Sequence, residues 1–178
     1  TNLNNFERAD TNSGSLYVSE YELSTIMEET IDAFRSYANI KHINLTYESS
    51  FRYLNVWLDK DKMDSILKNI ISNALKYTPD GGNVHVFTSE TEDTWSIEVK
   101  DTGIGIPASE QKKLFKMHFR GSNAINSKVT GSGIGLLLVG KLVHLHKGKL
   151  NFSSMEGKGS CIKITFPKGN KHFRKANH

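Results

Sequence analysis

The stretch NIISNALKYTPDGGNVHV (69–86) changes period in mid-course. Up to Tyr77 its apolar residues recur at intervals of three and four, the spacing of one helix face; after Asn83 they alternate, the spacing of a strand. Between them Pro79, Asp80, Gly81 and Gly82 form a strong turn signal. A helix that feeds directly into a strand sets the pattern, and the rest of the chain repeats it. Working back, Asp59 can cap this helix, which is predicted to run to about Thr78. Leu54, Val56 and Leu58 alternate before it, as do Ile43, Leu45 and Tyr47, giving two strands. Ile26, Met27, Ile31, Phe34 and Ala38 mark a helix from Ser24, its expected N-cap, to about Asn39. Leu16 and Val18 suggest a short strand, and the polar residues 1–14, with Leu3 and Phe6 at helical spacing, read as the last turns of a longer helix. Working forward, Val84-Val86 and Trp95-Ile97-Val99 read as a hairpin, Pro107 opens a short helix to about Phe115, and Ile134 to His146 is helical. Leu150-Phe152 and Ile162-Ile164-Phe166 complete a last hairpin around residues 156–159. This order predicts a two-layer α/β sandwich: a mixed, mostly antiparallel sheet packed on three helices. Residues from about 116 to 132 read as a long loop, and such loops are usually functional lids or disordered segments.

Composition narrows the classes. Of 178 residues, 37% are hydrophobic and 24% charged, enough for one real core and against disorder. No run approaches the ~18–20 apolar residues of a membrane span, and residues 1–13 lack the apolar core of a secretory leader. Cys161 is the single cysteine, so no internal disulfide can form and a thiolate zinc site is excluded; a reducing compartment, hence a cytoplasmic location, fits. Net charge is +4, but Lys168, Lys171, Arg174 and Lys175 lie in a tail with no acid, and the remaining 19 basic residues balance 19 acidic ones. The folded part is neutral, which argues against a nucleic-acid footprint, and residues 168–178 read as a solvated tail.

Three constellations carry chemistry. On the helix after Asp59, at about 100° per residue, Asn69, Asn73, Lys76 and Tyr77 fall within roughly 100° of arc, directly beside the apolar stripe of Met63, Leu67, Ile70, Ile71 and Ala74. Lone helical asparagines usually bond locally. Two of them one turn apart, with a lysine and a tyrosine, also suit a metal–phosphate site: amide oxygens are neutral ligands for Mg²⁺ already held by phosphates, and a lysine is a point charge for those phosphates. The second is DTGIGIP (101–107), at the end of a strand. It could be an ordinary Asp-Thr-Gly turn; with Asp101 buried, its carboxylate would accept from an exocyclic amine such as adenine N6. The third is GSGIGL (131–136), glycines feeding a helix N-terminus, where free amides favour phosphate. It is neither a dinucleotide fingerprint, since no strand precedes it, nor a P-loop, since leucine follows Lys141.

Together, NIISNALKYTP (69–79), DTGIGIP (101–107), KLFKMHFRG (113–121) and GSGIGLLLVGKLVHLHKGKL (131–150), followed by GKGS (157–160), resemble the N, G1, F and G2 boxes of the catalytic ATP-binding domain of bacterial sensor histidine kinases. The resemblance covers about Leu16 to Pro167. It implies the Bergerat ATPase fold with an ATP lid, and ATP and Mg²⁺ as ligands. It implies Asn73 as Mg²⁺ ligand with Asn69 beside it, Lys76 as phosphate contact and Tyr77 as a ring facing adenine. Asp101 would read the adenine amine in a pocket shaped by Gly103, Gly105 and Ile106. Gly131, Gly133 and Gly135 would form the lid hinge and phosphate turn, Leu136 would line the pocket, and Arg120 would reach toward the γ-phosphate. The catalytic set implied is therefore Asn73, Lys76 and Arg120.

On this basis residues 1–14 are the remnant of a dimerisation helix, 15–167 the catalytic domain and 168–178 a linker. The partner would be a dimerisation domain bearing the phosphoaccepting histidine, in a homodimeric and membrane-anchored sensor, with a response regulator downstream; the fragment itself would be monomeric. None of the seven histidines here precedes an acid, as the family's acceptor does, so this chain is not expected to phosphorylate itself. Lys116, Met117 and His118 depart from the F box, and Ser72 stands where related hydrolytic ATPases carry a water-activating acid. An anti-sigma-type serine kinase and a non-catalytic nucleotide-binding module are the alternatives on the same fold.

Overall fold

The computed structural model describes residues 7–11, 14–111 and 134–173. In chain order its elements are β1 (Glu7–Thr11), β2 (Gly14–Glu22), α1 (Leu23–Ile40), β3 (Asn44–Ser49), β4 (Asn55–Leu58), α2 (Lys60–Tyr77), β5 (Asn83–Glu90), β6 (Thr94–Asp101), α3 (Ala108–Gln111), α4 (Ile134–Leu145), β7 (Lys149–Met155) and β8 (Gly159–Pro167), followed by a 3-10 turn at Lys171–Phe173. Strands β3-β5-β6-β8-β7 form one sheet and β1-β2-β4 a second. Among the described strands only β3 and β5 pair in parallel; the crossover that such a pair requires is supplied by β4 and α2. The expected mixed, mostly antiparallel sheet is therefore present.

Alternation places the core. Val84, Val86, Ile97, Val99, Ile162, Ile164 and Phe166 sit on the inner face of the large sheet, all buried. The residues between them, among them Thr46, His85, Lys100 and Cys161, lie in register across the outer face. α2 packs on β6, α1 and α4 through Met63, Ile66, Leu67, Ile70, Ile71 and Leu75. Asp59 caps α2 as predicted, accepting from Lys62 N at 3.2 Å.

Three sequence expectations change. α1 begins at Leu23 because Glu22, not Ser24, is its N-cap: the carboxylate accepts from Ser24 N (2.8 Å) and Thr25 N (3.1 Å), while the Ser24 hydroxyl donates to Arg52 O (2.9 Å). Glu7–Thr11, within the stretch read as a helix remnant, is a strand paired with β2 from Glu7↔Val18 to Thr11↔Gly14. β2 pairs with β4 through its second half, from Ser19↔Leu58 to Glu22↔Asn55. Residues 168–178, read as a solvated tail, enter the fold as far as Phe173: Lys168 N donates to Asp93 O (2.8 Å), Lys168 Nζ contacts Glu90 Oε1 (2.6 Å), and Phe173 is buried in the core. Counting only the tail's charges missed its one apolar anchor.

Phe173 packs edge-on to His146, which follows α4 and is fully buried. His146 Nδ1 lies 2.8 Å from Leu142 O, so it carries the proton, and Nε2 accepts from Asp59 N at 3.2 Å. Asp59 Oδ2 in turn accepts from Tyr17 N in β2 (2.9 Å). A neutral imidazole thus joins the end of α4, the cap of α2 and strand β2. Burial lowers its pKa below the usual 6.5. The unfolded chain then takes up the proton first, so this contribution to stability is complete above about pH 6.5 and is lost as pH falls. His146→Gln should cost about 1–3 kcal/mol at pH 7.5, and the gap from wild type should narrow toward pH 5; denaturant unfolding at the two pH values checks both.

Candidate functional site

α2 delivers its polar face to one end of the large sheet. Asn69 and Asn73 are partly buried, Lys76 is exposed and Tyr77 is partly buried. The Asn69 amide donates to Ser65 O (2.7 Å), the local bond expected of a helical asparagine, and its Oδ1 makes no hydrogen bond to a described residue. The Asn73 side chain makes no hydrogen bond to a described residue. Ser72 Oγ donates back to Asn69 O (3.3 Å). No group of three or more His, Cys, Asp or Glu side chains able to hold a metal occurs among the described residues. A divalent cation here would rest on the two asparagine oxygens and complete its shell from a bound ligand, which suits a hard cation that arrives with phosphates.

The loop after β6 meets α2 backbone to backbone. Ile104 N donates to Tyr77 O (3.0 Å), and Thr102 N donates to Asn83 O (3.0 Å) while its hydroxyl accepts from Asn83 N (2.9 Å). A Cβ at Gly103 would stand 2.6 Å from Tyr77 O and 2.7 Å from Asp101 Oδ1. Gly105 has φ +69°, and a Cβ there would collide with Met155 O. On the far side Gly157 N donates to Ile104 O (2.7 Å) and Ile106 N donates to Ser154 Oγ (2.7 Å). The glycines read from sequence as giving a ligand access to the backbone therefore serve first to let three backbone segments approach one another.

Asp101, the last residue of β6, is the electrostatic centre of this arrangement. Its Oδ1 accepts from Gly103 N (2.8 Å) and Ser160 N (3.1 Å). Both bonds favour the carboxylate, but burial outweighs them and pushes the pKa up to about 6 from 3.8. Oδ2 has no hydrogen-bond partner among the described residues, so the side chain offers one pinned oxygen and one available acceptor. At Gly159 (φ +129°) a Cβ would collide with Asp101 O, so a glycine is what lets β8 come close enough to bring Ser160 within reach. Ser160, Ser154 and Gln111 were not singled out from sequence. The Ser154 and Ser160 hydroxyls are 2.7 Å apart, and Gln111 Nε2 donates to Ile106 O (2.9 Å) and Ser154 O (2.8 Å), locking the loop on the β7–β8 hairpin. The GKGS string was the available signal, since the alternation of β6 and β8 sets Ser160 opposite Asp101.

The structure thus brings Tyr77, Asp101, Gly103, Gly105 and Ile106 together, with Asn69, Asn73 and Lys76 on the adjoining turns of the same helix. Leu136 packs against the core from the first turn of α4, whose backbone includes Gly135. Arg120, Gly131 and Gly133 lie outside the described residues, as do Lys116, Met117, His118 and the loop read as a lid.

The raised pKa means that the folded protein holds the Asp101 proton more tightly than the unfolded chain does. Its contribution is favourable below about pH 4 and is lost as pH rises through about 6. Asp101→Asn should therefore stabilise the domain at pH 7.5 by up to about 3 kcal/mol, from ~1.36 kcal/mol per pKa unit. That gain should shrink toward zero at pH 4; paired melts at the two pH values test it.

Residues 58–170 match the family model of histidine kinase-, DNA gyrase B- and HSP90-like ATPases, a span from the end of β4 past β8. The chain is 38% identical over 148 residues to the sensor histidine kinase WalK of Bacillus subtilis (strain 168), covering 82% of this chain and 24% of that protein. The catalytic domain of histidine kinase ThkA superposes with a TM-score of 0.75 at 23% identity, covering 85% of this chain and 95% of that one. Full-length ShkA in complex with AMPPNP gives 0.75 at 21% identity, over 86% of this chain and 31% of that one. The chain therefore spans about a quarter of the length of WalK, and these solved structures share its fold. With the α2 face, the partly buried aspartate at the end of β6 and the glycine-tight loop all inside the matched span, the chain belongs to the family of histidine kinase-, DNA gyrase B- and HSP90-like ATPases.

Proposed function

We propose that this chain is the ATP-binding catalytic domain of a sensor histidine kinase. It would hold Mg²⁺-ATP and present the γ-phosphate to a histidine on a dimerisation domain outside this sequence. The observation that carries the reading is Asp101: a carboxylate fixed through Oδ1 by two backbone N–H groups, with Oδ2 left to accept a hydrogen bond. An adenine exocyclic amine fits that acceptor, whereas guanine would set an oxygen against it. Tyr77, Gly103, Gly105, Ile106 and Leu136 would surround the base. Lys76 and Arg120 would meet the phosphates, with Gly131, Gly133 and Gly135 at the turn opening α4. Asn73 and Asn69 would hold Mg²⁺, which when bound neutralises charge on the phosphate oxygens. Transfer of this kind depends on positioning and charge stabilisation, so the protein's part is to fix the nucleotide and exclude alternatives. Ser72, whose hydroxyl is turned to its own helix, is no base for activating water, so bound ATP should hydrolyse slowly.

The chain's similarity to WalK supports a sensor kinase as the parent, and the ShkA complex with AMPPNP supports an adenine nucleotide as the ligand. The parent would be a homodimeric, membrane-anchored sensor with this domain in the cytoplasm, signalling to a response regulator. No helix among the described residues is long and apolar enough to cross a membrane.

Two measurements test this. Calorimetry should find ATP bound more tightly than GTP by about 5- to 150-fold, the range for an unpaired buried polar group; equal affinities would remove Asp101 from the site. Incubation with γ-labelled ATP should leave the chain alone unlabelled. Addition of a dimerisation domain should yield acid-labile, alkali-stable label on that domain, whereas acid-stable label on this chain would indicate a serine kinase instead.

A further inference from the structure

The structure assigns Lys41, on the turn between α1 and β3, as a positioning residue for the nucleotide site, acting through the C-terminal turn of α2. Its role presupposes the nucleotide site proposed above. Every helix leaves its last four carbonyls without intrahelical donors. Many helices satisfy them by continuing into a left-handed residue, usually glycine. α2 cannot, because Pro79 biases the preceding residue to extended backbone, and Thr78 has φ −97° and ψ 124°. Donors must therefore come from elsewhere. The Thr78 hydroxyl serves Ala74 O (2.6 Å) and Ile104 N serves Tyr77 O (3.0 Å). Lys41 Nζ supplies the rest: Leu75 O at 2.8 Å, Lys76 O at 3.2 Å and Thr78 O at 2.8 Å.

An ammonium carries three N–H donors, and here three carbonyls take them, so one side chain satisfies most of a helix terminus. It is held ready to do so. Lys41 is itself the C-cap of α1, whose end is closed by His42 N→Asn39 O (3.1 Å) and Ile43 N→Ala38 O (2.9 Å), with His42 in the left-handed region at φ 56°. Asn44 N then donates to Gly82 O (2.9 Å), fastening this turn to the α2–β5 connection.

The capped turn is the one that carries Lys76 and Tyr77. The carbonyl lying between those held by Lys41 is Tyr77 O, on which Ile104 N and the close approach of Gly103 depend, and Gly103 N is one of the two donors that fix Asp101 Oδ1. Displacement of the turn would therefore be transmitted to the acceptor proposed to read the base, although Lys41 touches no ligand.

The test uses Lys41→Met, which keeps an unbranched stem and removes the donors, with Lys41→Arg as the conservative variant. Lys168→Met serves as a control for charge, since Lys168 adjoins the opposite end of β6. At a temperature well below every melting point, Lys41→Met should raise the Kd for ATP about tenfold, the lower end of what loss of a charge-assisted hydrogen bond produces. Lys41→Arg should recover most of that loss, and Lys168→Met should bind as wild type does. Without nucleotide, hydrogen exchange at the Ile104 amide should quicken in Lys41→Met while amides in the middle of β5 and β6 keep their protection. If Lys41→Met does not fold, Lys41→Gln, with two donors, should fold and show the same changes in smaller measure. Wild-type Kd and Ile104 protection in the folded Met or Gln variant would overturn the assignment. Loosened Ile104 in a protein whose wild type binds no ATP would instead overturn the nucleotide site and leave the capping intact.

Discussion

Three backbone segments meet around Asp101 more closely than side chains allow, and the rest of the site follows from that approach. The end of α2 presents Tyr77 O, the loop after β6 presents Ile104 N, and the β7–β8 turn presents Gly157 N and the backbone of Met155. Gly103 and Gly105 stand at the two contacts, and neither has room for a Cβ. Backbone-to-backbone packing leaves few rotamers to vary. It fixes donors and acceptors to within the tolerance of the hydrogen bonds themselves, which a site that distinguishes an amine from a carbonyl oxygen requires.

Asp101 and His146, near opposite ends of α2, are shifted in opposite directions for the same reason. Burial disfavours charge, so it raises Asp101 and lowers His146. His146 is fully used: both ring nitrogens have backbone partners, and the neutral ring costs nothing electrostatically at neutral pH. Asp101 is only half used, with one oxygen fixed and one not, and carries a charge its surroundings disfavour. Under the proposed function the unbonded oxygen is the acceptor for the base, so the disfavoured charge is the one the site would use.

Much of this was legible in the sequence. The period change across residues 69–86 located α2, its turn and β5 because burial on one side of a helix and one face of a strand leaves different spacings. DTGIGIP falls on the loop that meets the end of α2, and the paired asparagines lie on that same helix. What sequence could not provide were contacts made by backbone atoms. Ser160 acts through its N–H, Gly157 through its N–H and Tyr77 through its carbonyl, and no side-chain pattern announces these. The ends of the chain were misread for a related reason. Glu7–Thr11 is polar, yet its backbone pairs with β2, and a single buried phenylalanine anchors a basic segment against the core.

The direction of the helices also bears on how a nucleotide would lie. The C-terminal end of α2 carries the negative pole of its dipole, and Lys76 in its last turn offsets that locally. A hydrogen-bond donor such as an exocyclic amine suits the neighbourhood of this pole and of Asp101; a triphosphate does not. α4, which packs on α2, begins at Ile134, and a helix N-terminus has the opposite preference. Base toward the end of α2 and phosphates toward the start of α4 is the electrostatically consistent orientation. It requires the asparagines one and two turns back along α2 to lie between the two poles, where a cation shared with phosphates would screen the remaining charge. Under the proposed function, Asn69 and Asn73 precede Lys76 and Tyr77 along α2, so the contacts to cation, phosphate and base would follow one another along the helix.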